Sequence, residues 1–290
     1  MKVSFIVNPA AGKGKAKSFV FPIEEAMKSL NEISYEICFT KKAGHATELA
    51  RSAAALGCKI VYAVGGDGTV NEVMNGLVGT NSALSVLPGG SGNDFARSID
   101  IHGDIIQIIR QTLKGKIKPI DVGIINGRYF INISSVGFDA EVALQRFKKS
   151  VFSGSAAYVA GLISTIFTCK SIKIKFKADE TEFEKMILLT AVANGKYYGG
   201  GMKAAPDAIL DDGKFDICII DWLPKIKMLF LFPKFMKGKH ESLKEVNFLR
   251  SEKVTLESCE PVAINIDGEV LQDTRISFEM IKKGLLVAMP

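Results

Sequence analysis

Gly65-Gly66-Asp67-Gly68-Thr69-Val70-Asn71-Glu72, directly behind the apolar run Ile60-Val61-Tyr62-Ala63-Val64, decides how this chain folds. A short β-branched run of that kind marks a parallel strand buried on both faces. The glycine turn therefore lies at the strand's carboxyl end, the edge where open α/β sheets bind ligands. Gly65, Gly66 and Gly68 permit positive φ and let N–H groups approach an anion with no Cβ in the way. Thr69 is placed to cap the helix that follows. A plain strand-to-helix turn would carry the same glycines, so Asp67 is the discriminating residue. A carboxylate facing phosphates makes sense when a divalent cation lies between them.

Outward from this turn, strand-like runs near 3–7, 34–39, 60–64 and 83–87 alternate with helical patterns, as a parallel sheet requires. Phe19, Ile23, Ala26, Met27 and Leu30 recur at helical spacing, with Pro22 marking a first turn or a kink. A second helix over 45–56 is stopped by Gly57. Near Ile120 the character changes. Short β-rich runs follow at 129–134, 171–178, 186–193, 215–220, 253–257, 262–266, 275–280 and 285–288, the pattern of an antiparallel β-sandwich. The expected architecture is an α/β nucleotide-binding domain over 1–122 and a β-sandwich domain over 123–290.

Composition narrows the function. At 290 residues and 47% hydrophobic the chain has ample core for two domains. A net charge of +6 spread along the chain gives nucleic-acid binding little support, while suiting nucleotides or anionic lipid. Cys38, Cys58, Cys169, Cys218 and Cys259 form an odd set without CxxC spacing, which reads as reduced and cytosolic. With only His45, His102 and His240, a histidine triad or zinc site is poorly supported. The N-terminal apolar run is too short for a signal peptide and reads as a first strand. The uncharged stretch 150–169 approaches membrane-spanning length, but its Ser, Thr and Gly content favours a buried helix.

Two further loops share the glycine turn's edge. Asn8-Pro9-Ala10-Ala11-Gly12-Lys13-Gly14 follows the first strand and lacks the Lys-Ser/Thr pair of a Walker A loop. Pro88-Gly89-Gly90-Ser91-Gly92-Asn93-Asp94-Phe95-Ala96-Arg97 follows the fourth strand. Jointly they read as a nucleotide site lined by backbone N–H groups, with hydroxyls from Thr69 and Ser91. Carboxylates recur at Asp67, Asp94, Asp121, Asp211, Asp212, Asp267 and Glu269, each with a plain alternative as turn or cap residue. The tight turn at Asp211-Asp212-Gly213 can aim carbonyls and a carboxylate at a hard cation. In Ile266-Asp267-Gly268-Glu269 the glycine lets the chain bend so that both acids point into one cleft. Phosphoryl transfer needs neutralised phosphates, in-line positioning and a carboxylate to take the acceptor's proton. Glu269 is the candidate base.

Together these residues resemble the diacylglycerol kinase catalytic domain family of bacterial lipid kinases, which also includes the sphingosine kinases. Residues 65–72 match its GGDGTxNE signature and 88–97 its glycine-rich GSGNDFAR loop. Gly137-Phe138-Asp139-Ala140, the stretch 205–213, and Asp267-Gly268-Glu269 match its later blocks in order. The resemblance implies a first domain similar to NAD kinase and phosphofructokinase, then a β-sandwich whose last segment, about 280–290, returns toward the first domain. It implies ATP between the two domains, on Asn8, Pro9, Ala10, Ala11, Gly12, Thr40, Gly65, Gly66, Asp67, Gly68, Thr69, Val70, Asn71, Glu72 and Ser91. It implies Mg²⁺ on Asp212 with the carbonyls of Ile209 and Lys214, joined through water to Asp67, Asp94 and Asp121. Glu269 matches the proton acceptor and Asp267 its neighbour, while in sphingosine kinases the residue matching Asp67 is given the base role, so the choice stays open. The acceptor is a membrane lipid, with diacylglycerol first and phosphatidylglycerol, ceramide, a long-chain base or a soluble acceptor such as NAD as rivals. A non-catalytic nucleotide-binding regulator is the rival from another class, and the intact Asp267/Glu269 pair argues against it. Apolar segments at 155–167 and 226–236 fit either an acyl slot or helix-core packing, and the second segment, with Lys225, Lys227, Lys234, Lys237 and Lys239 around it, also fits a cytoplasmic protein resting on an anionic membrane. Oligomeric state, a homodimer included, is left open.

Overall fold

The computed structural model describes residues 1–30, 32–148 and 165–290, the side chains at 144–148, 232 and 236 apart. Most of the acyl-slot candidate at 155–167 and most of the uncharged stretch at 150–169 lie outside the described residues. Four parallel strands, β1 (Lys2–Val7), β2 (Ser34–Phe39), β3 (Ile60–Gly65) and β4 (Ala83–Pro88), lie in the order β2-β1-β3-β4. Central β3 is buried at every residue, while edge strand β2 is mostly part-exposed. That difference is why only the β-branched run 60–64 reads without alternation. Between them run α1 (Val20–Lys28), α2 (His45–Ala55) and α3 (Asp67–Leu77). Pro22 falls in the first turn of α1, where its missing N–H costs nothing. Gly57 ends α2 with φ 75°.

Short α4 (Asp94–Ser98) and α5 (Ile105–Lys114) lead into β5 (Lys116–Ile125) and β6 (Arg128–Phe130). The β-rich remainder comprises β7 (Ile133–Gly137), β8 (Ile172–Ala178), β9 (Thr181–Ala193), a small hairpin of β10 (Tyr197–Tyr198) and β11 (Met202–Lys203), β12 (Phe215–Asp221), β13 (Val246–Ser251), β14 (Lys253–Ile266) and β15 (Glu269–Met289). Helices α6 (Phe138–Lys148) and α7 (Lys225–Met236) interrupt it. These strands pair antiparallel with one another. The fold is thus an α/β domain followed by a β-rich, sandwich-like domain.

Period-2 alternation explains why β12 is apolar almost throughout. Phe215, Ile217 and Ile219 enter a core with Phe130, Phe176 and Phe278, while Cys218 and Ile220 enter a second core with Phe138, Leu188 and Met228. A strand buried on both faces carries no polar side to reveal its phase.

β15 joins the halves. Its first part pairs with β14, it runs antiparallel to β5, and at Leu286 and Val287 it pairs parallel with β4. Among the described residues, all strands except β10 and β11 therefore form one hydrogen-bonded sheet. The runs expected at 275–280 and 285–288 are one strand, interrupted by a register shift between Ile281 and Leu285, where Lys283 sits at φ 55°. Buried Asp121 holds this bulge, Oδ1 accepting from Lys283 N at 2.7 Å and Oδ2 from Gly213 N at 2.6 Å. Among the described residues no helix is long and apolar enough to cross a membrane.

Candidate functional site

The carboxyl ends of β1, β3 and β4 bring the three glycine loops together. Gly89 N donates to Gly65 O at 2.8 Å. Asn8 Nδ2 donates to Thr69 Oγ1 at 3.1 Å, and Asn8 Oδ1 turns back to accept from Ala10 N. The backbones approach so closely that a Cβ on Gly90 would stand 2.3 Å from Gly66 Cα, and one on Gly12 2.1 Å from Gly89 O. Gly12 and Lys13 both take left-handed φ, near 60°. Val70 is buried in the first turn of α3, and Thr40 ends β2 at the same edge with its N–H on Val7 O. Ser91 stands exposed in the third loop, and Gly68 begins α3 with open space around it.

Asp67 binds across this edge. Its Oδ1 accepts from Asp94 N at 2.6 Å, while a Cβ on Gly92 would be 2.4 Å from its Oδ2 and 3.4 Å from Asp94 Oδ2. Asp94 is buried, and desolvation pushes its carboxyl above the ordinary value against the pull of Gly200 N and Arg97. Arg97 Nη1 donates to Asp94 Oδ1 at 2.7 Å, and Gly200 N donates to Asp94 Oδ2 at 2.8 Å. Gly200 comes from the β-rich half, in a loop where Gly199, Gly200 and Gly201 all have positive φ. Sequence reasoning missed this loop, although three consecutive glycines were there to signal it.

Other motif residues point elsewhere. Glu72 Oε2 accepts from Ala46 N at 3.0 Å and so caps α2. Asn71 Nδ2 crosses to Asp267 Oδ2 at 3.1 Å, tying α3 to the turn between β14 and β15. Asp267 and Gly268, at φ 46° and 101°, form a two-residue hairpin turn with Ile266 opposite Glu269. The turn parts the two acids. Asp267 points inward and accepts from Ile131 N at 2.7 Å and from Asn132 N and Ile133 N at 3.1 Å. Burial pushes its carboxyl up to about 6, with these donors and Asn71 pulling the other way. Glu269 begins β15 with its side chain 64% exposed, 3.5 Å from Arg128 Nη1.

Asp212 lies in the turn after Leu210, Oδ1 accepting from Lys214 N at 3.1 Å and Oδ2 bonded to Arg250. Arg250 Nε also reaches Asp216 Oδ1 at 3.3 Å. Asp216 is buried, its Oδ2 without a hydrogen-bond partner, and desolvation followed by Asp212 and Asp207 pushes its carboxyl up while Arg250 pulls it down. An orphaned carboxylate oxygen beside Asp212, with the carbonyls of Ile209 and Lys214 in the same turn, is a donor set that fits a hard divalent cation. Among the described residues no three His, Cys, Asp or Glu side chains gather to hold a metal unaided. Asp121 meets this turn through Gly213 N, whereas Asp67 and Asp94 belong to the glycine edge.

A cavity of about 1020 Å³ opens from that edge into the β-rich domain. Lys13, Asp67, Ser91, Asp94 and Asp267 line its polar end. Its far end is apolar, between β9, β12, α6 and α7, with Phe138, Leu188, Ile220, Met228, Leu231 and Phe235 among the wall residues. Asp139 lies between the two ends, bonded to Ser135 Oγ, with burial pushing its carboxyl up. His240 is fully buried at the apolar end, Nε2 3.2 Å from Ala204 O, and burial pushes its pKa down.

Fold and geometry define a class: an α/β domain whose glycine-lined edge is closed by a β-rich domain around a common cavity. Comparison with known proteins gives the family. Residues 2–125 match the model for the diacylglycerol kinase catalytic domain, and residues 132–289 that for the YegS C-terminal NAD kinase beta sandwich-like domain. The diacylglycerol kinase of Bacillus subtilis is 30% identical over 100% of this chain and 96% of its own. A protein named "Probable lipid kinase YegS-like" from Alcanivorax borkumensis is 30% identical over 87% of this chain and 85% of its own. A crystal structure of a diacylglycerol kinase from Bacillus anthracis superposes with a TM-score of 0.76 at 25% identity, covering 100% of this chain and 97% of that one. The chain belongs to the diacylglycerol kinase catalytic domain family, with the YegS-type second domain, and is a lipid kinase of that family. Membership in a kinase family implies ATP as phosphoryl donor.

Proposed function

We propose that this protein transfers the γ-phosphoryl group of ATP to a hydroxyl of a membrane lipid, diacylglycerol first, giving phosphatidic acid. The observation that carries this reading is the continuity of the cavity, which runs from the glycine edge to an apolar chamber. Such a space accepts a molecule polar at one end and hydrocarbon at the other. A soluble acceptor such as NAD would leave the apolar end unfilled.

In this reading the N–H groups of the glycine turn, the 8–12 loop and Ser91 receive the nucleotide phosphates, helped by the amino end of α3. Asp212, with the carbonyls of Ile209 and Lys214, would hold Mg²⁺, which neutralises phosphate charge when bound. Acyl chains fill the wall of Leu188, Met228 and Leu231, so that the acceptor hydroxyl stops at the cavity's polar end beside Asp67 and Asp267. Glu269 is the proposed proton acceptor, and its side chain, 64% exposed beside Arg128 and off the cavity wall, must swing toward that end to reach the hydroxyl. Asp267 positions it, because its bonds to the 131–133 backbone fix the hairpin that carries Glu269. Asp67 is the rival base, favoured by its place on the cavity wall.

The test incubates the protein with γ-labelled ATP, Mg²⁺ and diacylglycerol, phosphatidylglycerol, ceramide or a long-chain base in mixed micelles, with NAD as soluble control. Label in diacylglycerol is expected; label in NAD and none in lipid overturns the reading. Glu269→Gln should lower turnover by about a hundred- to ten-thousandfold with ATP affinity retained. Unchanged turnover in that variant together with loss in Asp67→Asn would move the base to Asp67.

A further inference from the structure

Helix α7 is apolar on two sides. Met228, Leu231 and Phe235 face inward and line the cavity, Met228 and Phe235 buried. One turn apart on the outside, Ile226 and Phe230 are 70% and 75% exposed. Phe167, 54% exposed, stands beside the same helix, its carbonyl accepting from Lys225 Nζ. Lone exposed apolar side chains are ordinary. Here they cluster on the wall of the cavity proposed to take the lipid, and a helix apolar on both faces fits a place with hydrocarbon on both sides.

Charge says what covers the outer face. Lys225, Lys227, Lys234, Lys237, Lys239 and Lys244 fall in this segment against Glu241 and Glu245, and Glu245 is paired with Lys227. Lys234, Lys237 and Lys239 are exposed. Apolar residues in a lysine frame suit the interface of an anionic leaflet, where the stems lie along hydrocarbon and the ammonium groups meet phosphates. Pro233, inside the helix, removes the N–H that would bond the Leu229 carbonyl and so weakens the ladder midway along this wall.

We propose that α7 is the portal through which the lipid enters: Ile226, Phe230 and Phe167 seat in an anionic leaflet, and an acyl chain passes along the helix from the leaflet into the cavity. This rests on the lipid-kinase reading for the identity of the cavity's occupant. A second copy of this chain on the same face is the competing occupant.

The experiment compares the parent with the Ile226→Glu/Phe230→Glu double variant and with Lys234→Glu/Lys237→Glu. Binding is read by co-sedimentation with phosphatidylglycerol/phosphatidylcholine vesicles and with phosphatidylcholine alone. Turnover is read on long-chain diacylglycerol in those vesicles and on a short-chain diacylglycerol dissolved as monomers. The apolar double variant should bind vesicles at least about tenfold more weakly and lose long-chain turnover in proportion, with short-chain turnover unchanged. The lysine variant should lose the preference for the anionic vesicles. Unchanged vesicle binding in the apolar variant overturns the portal, as does a parallel fall on the short-chain substrate. A concentration-dependent dimer that this variant abolishes, without change in vesicle binding, overturns it in favour of a second copy. Vesicle binding lost as expected in a protein that phosphorylates no lipid would retain the docking face and reject the lipid-kinase reading instead.

Discussion

The two ends of the cavity are built by opposite means. At the glycine edge the working surface is largely backbone: three loops pressed together so closely that a Cβ on Gly12, Gly65, Gly90 or Gly92 would collide with a neighbour. At the apolar end the surface is side chain, contributed alternately by strands and by one face each of α6 and α7. A backbone surface fixes positions to a fraction of an ångström and tolerates almost no substitution. A side-chain wall tolerates exchange of volume and so adjusts what it holds. On the proposed function, this difference separates the gripping of phosphates at one end from the choice of lipid at the other.

Changing the most confined backbone should break the edge outright. Gly90→Ala places a methyl against Gly66 Cα. We expect a loss of about 3 kcal/mol or more in urea unfolding and at least about a hundredfold in ATP affinity by calorimetry. ATP binding at parental affinity would show that the glycine edge is not where the nucleotide sits.

Asp267, at the polar end, sharpens the comparison through pH. Its carboxyl lies near 6 in the fold against an ordinary value of 3.8, so the folded state holds more protons than the unfolded one between those limits. Stability contributed by the protonated form is therefore full below about pH 4 and lost as pH rises through about 6, by up to about 3 kcal/mol. Urea midpoints across that range should carry this component in the parent and lack it in Asp267→Asn. An identical profile in both would assign the slope to other carboxyls.

The smallest effect belongs to the wall. Leu231→Met keeps volume and should cost less than about 1.5 kcal/mol, with turnover on the best lipid changed by less than about threefold. The acyl-length optimum should move instead. Turnover lost on every chain length would mean that the wall is as exacting as the edge.

The same contrast governs what could be read in advance. β3 and its glycine turn stand in unbroken sequence, so strand, turn and helix declared themselves together. Thr69 does not cap that helix: it lies inside α3, whose N-cap is Gly66 with no side-chain bond, and its hydroxyl accepts from Asn8 Nδ2 instead. β15 read as two strands because Lys282, Lys283 and Gly284 interrupt it, and a bulge looks like an end when its partner is out of sight. The bonds that aim Asp267 come from backbone amides at 131–133, which leave no mark in residue type. Glu269 was visible in its motif, but the hairpin turns it away from Asp267, and only the two positive φ angles show that. The cavity wall was the least legible. Ile220, on the cavity wall, is the same residue type as Ile217 and Ile219 on the other face of their strand.

The route of β15 also has a cost in time. Ser85 in β4 bonds the carbonyl of Ala288, a partner 203 residues further along the chain. At the usual pace of synthesis, about 5–20 residues per second, that flank of β4 waits roughly 10–40 s for the strand that covers it. A parallel sheet with an open apolar edge recruits other strands in the interval. The first domain therefore stays unfinished until β15 has been made and has paired with β4.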